Sequence, residues 1–187
     1  MSIAHDILPE CFVDTNIVNT FLTMEQVYTD ANHCHGCNKV GNMMQEKLKD
    51  NFALGIIDKD KRQHSYNKEF HSLGNTEHLE LLKHPTNQHY LIRITPAMDG
   101  FILKVAGRQC VNMSDYDLPN NLKKFTEITK NASAKDNANL KKLFKNIVND
   151  KEMTLLKNIL GYISKNKYNC SDKELSDFFE AVKESRS

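Results

Sequence analysis

Two hydrophobic periods run through this chain, and the change from one to the other divides it. Up to about residue 118 short apolar runs alternate with helical stripes, whereas from Pro119 onward only helical stripes remain. A short run over residues 3–10, with Ile7 and Leu8 apolar and Pro9 near its end, predicts a strand. Ile17, Val18, Phe21 and Leu22 fall at i, i+1, i+4 and i+5, which predicts a helix over 11–22 whose start Asp14 or Thr15 can cap. Val40, Met43, Met44 and Leu48 form a second helical stripe, with Lys39, Gln45, Glu46, Lys47 and Lys49 turned outward. The run Phe52-Ala-Leu-Gly-Ile-Ile57 is then almost continuously apolar, as a strand covered on both faces requires. Strand, helix, helix, strand is the order of one right-handed crossover in a doubly wound sheet.

Beyond that strand, Ser65 can cap a short helix through Phe70 to Leu73 that Gly74 and Asn75 would end. Residues 77–83 and 88–95 read as strands around the turn-rich His84-Pro-Thr-Asn87, the second alternating with Tyr90, Ile92 and Ile94 on one side. Thr95-Pro96 reads as a helix start, and the helix that follows to about Arg108 would bury Met98, Phe101, Ile102 and Val105. Three stripes follow: Leu122, Phe125 and Ile128; Leu140, Leu143, Phe144, Ile147 and Val148; and Met153, Leu155, Leu156, Ile159, Leu160 and Ile163. The capping box Ser171-Asp-Lys-Glu174 precedes a last one. The polar stretch 131–139 reads as a mobile link. The expectation is an α/β domain over residues 1–118 and a basic helical region over 119–187.

Composition narrows the class. Hydrophobic residues make up 40% and charged residues 26% of 187, ordinary for a folded chain. No apolar run approaches the roughly 20 residues that span a bilayer. The opening Met-Ser-Ile-Ala-His-Asp does not resemble a secretory leader, and five cysteines without a framework spacing suit a reducing compartment, so a cytoplasmic location is expected. The net charge of +1 conceals an asymmetry: residues 119–187 hold 14 Lys and Arg against 9 Asp and Glu, residues 1–118 hold 11 against 15. An acidic module joined to a basic one suits a metal-using enzyme with a polyanionic substrate, and equally suits helices with solvated lysine faces.

The apolar strand at 52–57 ends in Asp58-Lys-Asp60-Lys61-Arg62. In an open α/β sheet ligands bind beyond the carboxyl ends of the strands. Glu10, Asp14, Asp58, Asp60 and Asp99 all fall at predicted strand ends or helix starts, and converging carboxylates repel one another unless a divalent cation joins them. Lys61 or Arg62 would suit a phosphate oxygen. His33, Cys34, His35 and Cys37 form a second cluster, but zinc sites are built from two separated ligand pairs and no second pair follows, which leaves a structural loop beside a metal or redox role.

Glu10-x-x-x-Asp14 opening a helix, then an apolar strand ending in Asp58-x-Asp60, resembles the TOPRIM fold, in particular the nucleases of the OLD family and related bacterial defence proteins. The segment Arg93-Ile-Thr-Pro-Ala-Met-Asp-Gly-Phe-Ile-Leu103 is similar to their later acidic segment, with Asp99 where the family usually has Glu; the likeness covers about residues 5–106. Cys11 stands where the family has glycine. The resemblance implies a small, mostly parallel sheet flanked by helices. It further implies Mg²⁺ or Mn²⁺ held by Glu10, Asp14, Asp58, Asp60 and Asp99, with Glu10, Asp58, Asp60 and Lys61 catalytic in two-metal phosphodiester hydrolysis. The implied substrate is nucleic acid, the implied partner an ABC-type or other ATPase, and the implied role an effector of anti-phage defence, with oligomeric state open.

Two other readings compete. Phe12-Val-Asp-Thr-Asn16 resembles the opening of PIN-domain ribonucleases, in which Asp14 would end the first strand and begin the metal site. A non-catalytic TOPRIM-like binding or regulatory subunit of an ATPase complex is the third. Whether Glu10 or Asp14 closes the first strand separates the first two.

Overall fold

The computed structural model describes residues 2–59 and 64–184, so Asp60, Lys61 and Arg62 lie outside the described residues. Strands β1 (Ser2–Ala4) and β3 (Thr29–Ala31) pair in parallel. Strands β2 (Ile7–Pro9), β4 (Ala53–Asp58), β5 (His71–Asn75), β6 (Leu79–Lys83) and β7 (His89–Ile94) form a five-stranded sheet in the order β2-β4-β7-β6-β5. β2, β4 and β7 are mutually parallel, while β6 and β5 run antiparallel to their neighbours. The sheet is therefore mixed rather than mostly parallel. The link between β6 and β7 is a tight turn, too short for the crossover that a parallel pair needs.

Seven α-helices complete the described residues: α1 (Phe12–Met24), α2 (Cys37–Asn42), α3 (Met98–Arg108), α4 (Leu122–Thr129), α5 (Ala138–Ile147), α6 (Lys151–Asn166) and α7 (Asp172–Glu184). α2 runs on into a π-helical turn over Met43–Lys47. The helix expected from Ser65 to Leu73 is only a 3₁₀ turn, Ser65–Lys68, followed by β5. Gly74 has a tertiary reason instead: a Cβ there would stand 2.6 Å from the Phe179 ring of α7, so it admits a helix rather than stopping one.

Alternation along β4 and β7 sorts the core into two layers. Leu54 and Ile56, with Tyr90, Ile92 and Ile94, lie under a thick helical layer that includes Phe21 of α1, Phe101 of α3, Phe144 of α5, Leu156 of α6 and Phe179 of α7. Ala53, Ile57 and Leu91 face a thinner layer of Val40, Met44, Tyr66 and Phe70. Gly55 is what lets that second layer close. A Cβ at this position would lie 2.8 Å from Leu91 Cδ1, 2.9 Å from Val40 Cγ1 and 3.0 Å from Met44 Sδ. Gly55→Ala is expected to destabilise the protein by roughly 1–3 kcal/mol through overpacking, read as a lower midpoint in urea. An unchanged midpoint would mean that the α2 layer is loose.

The helical region is not tethered by a mobile link. Residues 132–136 form a 3₁₀ turn with Ala134 fully buried, and Asn16 Nδ2 of α1 donates to Ala134 O at 2.7 Å and Asn137 O at 3.1 Å. One hydrophobic cluster accordingly extends from β2 and β4 through α1 into α5 and α6. Among the described residues no helix is long and apolar enough to cross a membrane.

Candidate acidic site at the carboxyl edge of the sheet

Because β2, β4 and β7 are parallel, their carboxyl ends lie on one edge, and α1 and α3 both begin there. Glu10 directly follows β2, Asp58 is the last residue of β4, and Asp14 lies in the first turn of α1. The register that pairs Pro9 with Ile56 carries Glu10 alongside the end of β4. There the Asp58 amide donates to Glu10 Oε2 at 3.0 Å. Asp58 in turn accepts the Met98 amide on Oδ1 at 2.9 Å, so this carboxylate, rather than Thr95, holds the first amide of α3. Asp14 Oδ2 accepts the amide of Cys11, the residue before α1, at 3.0 Å. Asp14 caps backwards from inside the helix rather than from its start.

Asp14 is 1% exposed, and its Oδ1 is buried without a hydrogen-bond partner. Burial, followed by the charge on Asp58, drives its carboxyl well above the ordinary Asp range; Glu10 adds to the push, and the bonds from Cys11 only partly offset it. A carboxyl with a raised folded pKa carries no penalty below the unfolded value of about 3.9, and loses stability as pH climbs from there through the folded value. Asp14→Asn is therefore expected to melt at a higher temperature than the parent at pH 7 in EDTA, with the gain shrinking toward pH 4. A variant that melts lower at pH 7 would mean that Asp14 is an ionised structural cap.

The other expected residues fall apart from this trio or out of view. Asp99 is half-exposed in the first turn of α3, next to the amide that Asp58 holds. Asp60 and Lys61 lie outside the described residues. Among the described residues no three His, Cys, Asp or Glu side chains form a ready cage for a metal ion. The edge was legible in sequence as carboxylates at strand ends. The Cys11 and Met98 amides that orient two of them were not, since backbone donors leave no mark on residue type.

The His/Cys segment packs beside this edge. Residues 32–34 continue along β2, with Asn32 N–H donating to Ile7 O at 2.8 Å and Cys34 N–H to Pro9 O at 2.9 Å, and the Gly36 amide reaches Glu10 O at 3.1 Å. Burial pushes the Cys34 thiol up to about 11, and burial together with Asp14 pushes the Cys11 thiol far above its usual range. Thiols held in the neutral form are poor nucleophiles, which disfavours a redox role for Cys34. His33 stacks on Phe12, ring centroids 4.3 Å apart, and points Nε2 at His35 Nδ1 across 3.2 Å. No protein-family model, curated protein or solved structure matches this chain.

Proposed function

We propose that the chain is a metal-dependent nuclease that hydrolyses phosphodiester bonds at the acidic edge, in the manner of the TOPRIM nucleases that its motifs resemble. The observation that carries this reading is the meeting of Glu10, Asp14 and Asp58 beyond adjacent parallel strands, with Asp14 desolvated, repelled by its neighbours and short of a partner on Oδ1. Such an arrangement is costly unless a cation shares it. All the donors are oxygens, the chemistry that Mg²⁺ and Mn²⁺ prefer.

In this reading Asp14 and Asp58, with Asp60 of the same motif, would hold the ion. When bound, it supplies charge neutralisation at the phosphoryl oxygens and a water of lowered pKa. Glu10, oriented by the Asp58 amide, would serve as the general base toward the attacking water. The first turn of α3, its leading amide tied to Asp58, faces the same edge with its positive dipole end. Glu10 follows β2, the first strand of the five-stranded sheet, while Asp14 sits inside α1, which favours the glutamate-led reading over the PIN-like one. Thr15 and Asn16 of the PIN-like segment have structural partners of their own, His33 and the backbone at 134 and 137. A role as effector subunit of an ATPase-controlled defence system stays with the resemblance alone.

The test is cleavage of labelled single- and double-stranded DNA and RNA by the purified chain with Mg²⁺ or Mn²⁺, each against an EDTA control. Metal-dependent products are expected with at least one substrate. Intact substrates throughout, including in the presence of a co-purifying ATPase, would instead favour the non-catalytic subunit.

A further inference from the structure

We propose that His33 and His35 form a second metal site, separate from the acidic edge and specific for one borderline divalent transition ion such as Zn²⁺ or Ni²⁺. The argument begins with a single proton. Thr15 Oγ1 donates to Cys11 O at 2.8 Å, so its only hydrogen is committed and it can only accept from His33 Nδ1, 3.0 Å away. His33 therefore carries its proton on Nδ1 and presents a lone pair on Nε2. This is how metal-binding histidines are commonly prepared, with the far nitrogen donating to a fixed oxygen. The Phe12 ring, stacked on His33 with 19° between the planes, holds the orientation.

Nε2 of His33 lies 3.2 Å from Nδ1 of His35, and the pair is exposed on a cleft of about 480 Å³. Two nitrogens at that separation, each the usual 2.0–2.1 Å from zinc, subtend about 100° at the ion, near the tetrahedral angle. Without an ion the same contact is a hydrogen bond from His35 to His33. Binding then requires that the His35 proton move from Nδ1 to Nε2 and that the rings, chiefly the exposed His35, turn so that both lone pairs meet at the ion instead of along the line between the nitrogens. Among the described residues no third His, Cys, Asp or Glu completes the shell, so the remaining positions open to the cleft. Lys39, Glu46 and Lys47 line it, a net positive wall that leaves those positions to water or an anion. Imidazole ligands select transition ions, while the all-oxygen edge selects Mg²⁺ or Mn²⁺, so the two sites differ in chemistry. This inference does not depend on the nuclease reading.

The test is calorimetric titration of the untagged, chelator-treated full chain with ZnCl₂ and with NiCl₂. One ion per chain is expected, with binding lost in His35→Ala, whose exposed side chain can be removed without unfolding, and in His33→Gln. Thr15→Val, which leaves both ligands in place but removes one of the two oxygens beside the His33 proton, the Cys11 carbonyl being the other, is expected to weaken binding about tenfold. Asp58→Asn should bind as the parent does. Imidazole ¹⁵N shifts of the ion-free chain should place the His33 proton on Nδ1. Absence of one-to-one binding, binding that survives both histidine variants, or loss of binding in Asp58→Asn would each overturn the proposal.

Discussion

Asp58→Asn is expected to lower metal-dependent cleavage by about two to three orders of magnitude, the scale of removing one electrostatic stabiliser of a transition state, while leaving the fold intact. The asymmetry follows from the two jobs of this side chain. Its Oδ1 accepts the Met98 amide at 2.9 Å and so starts α3. An asparagine oxygen can make the same bond, so helix and sheet edge should hold. What the substitution removes is the negative charge, which a cation site needs and a helix cap does not. The charge also raises the Asp14 pKa, so the variant should make Asp14 easier to ionise. Glu10→Gln tests the same edge from β2, since a glutamine oxygen can still accept the Asp58 amide but cannot take up a proton at neutral pH. Steady-state cleavage, run beside thermal melting, separates the outcomes. Full activity in a folded Asp58→Asn would mean that Asp58 is a cap and nothing more, and would sink the proposed mechanism.

The largest effect on stability is expected far from that edge, at Glu152. This side chain lies on α6, fully buried, and it gathers partners from the loop between β5 and β6 and from the end of α3. Its Oε1 accepts the Thr76 hydroxyl and, at 3.0 Å, the His78 amide; Oε2 faces His78 Nδ1 at 2.9 Å and Arg108 Nη2 of α3 at 3.0 Å. Arg108 also forks onto buried Asp150, with bonds of 2.9 and 2.8 Å. Glu152→Ala leaves the Thr76 and His78 donors without their buried acceptor and takes one of two carboxylates from Arg108, and breaking a buried ionic network of this kind costs roughly 3–5 kcal/mol. Urea unfolding reads the loss directly, and a change of less than about 1 kcal/mol would place the site among exposed pairs.

The same residue sets a pH dependence. Burial by itself would raise the Glu152 pKa, but the bonds from Thr76 and His78 outweigh it and the carboxyl sits below its ordinary range. A depressed folded pKa contributes stability that is present above the unfolded value, about 4.3 for Glu, and is lost as pH falls through the folded one. The parent should therefore weaken on acidification below about pH 4.3 more steeply than Glu152→Gln. Asp14 acts in the opposite sense, since its raised pKa makes the metal-free chain relatively more stable in acid.

Much of the architecture was legible from local pattern. The continuous apolar run of β4 could only be a strand with both faces covered, and it is buried from Ala53 to Ile57. The stripe of Ile17, Val18, Phe21 and Leu22 is the buried face of α1, and the capping box at Ser171 stands where α7 begins, with Ser171 Oγ accepting the Glu174 amide. Tyr90, Ile92 and Ile94 share a face as their alternation requires. These features are set by residues within one or two turns of each other, and hydrophobic period reports that range directly. Where the pattern misled, a distant partner had decided the matter. Residues 131–139 are polar along the chain, yet Asn16, more than a hundred residues away, anchors their carbonyls. Gly74 looked like the end of a helix because its closeness to Phe179 is invisible in sequence.

The acidic edge divides along the same line. By itself the sequence determined that carboxylates stand at the end of β2, at the end of β4 and in the first turns of α1 and α3, because strand ends and helix starts are local events. Only the tertiary structure decided their company. It brought Glu10 against the Asp58 amide across 48 positions, turned Asp58 onto the first amide of α3, shut Asp14 away from water, and left Asp99 half-exposed. It also decided that His33 would be held by Thr15 so as to face His35, and that Glu152 would find its partners on the β5–β6 loop and on α3. A side chain's charge is written in its type, but its pKa and its partners follow from burial and from what the chain folds against it.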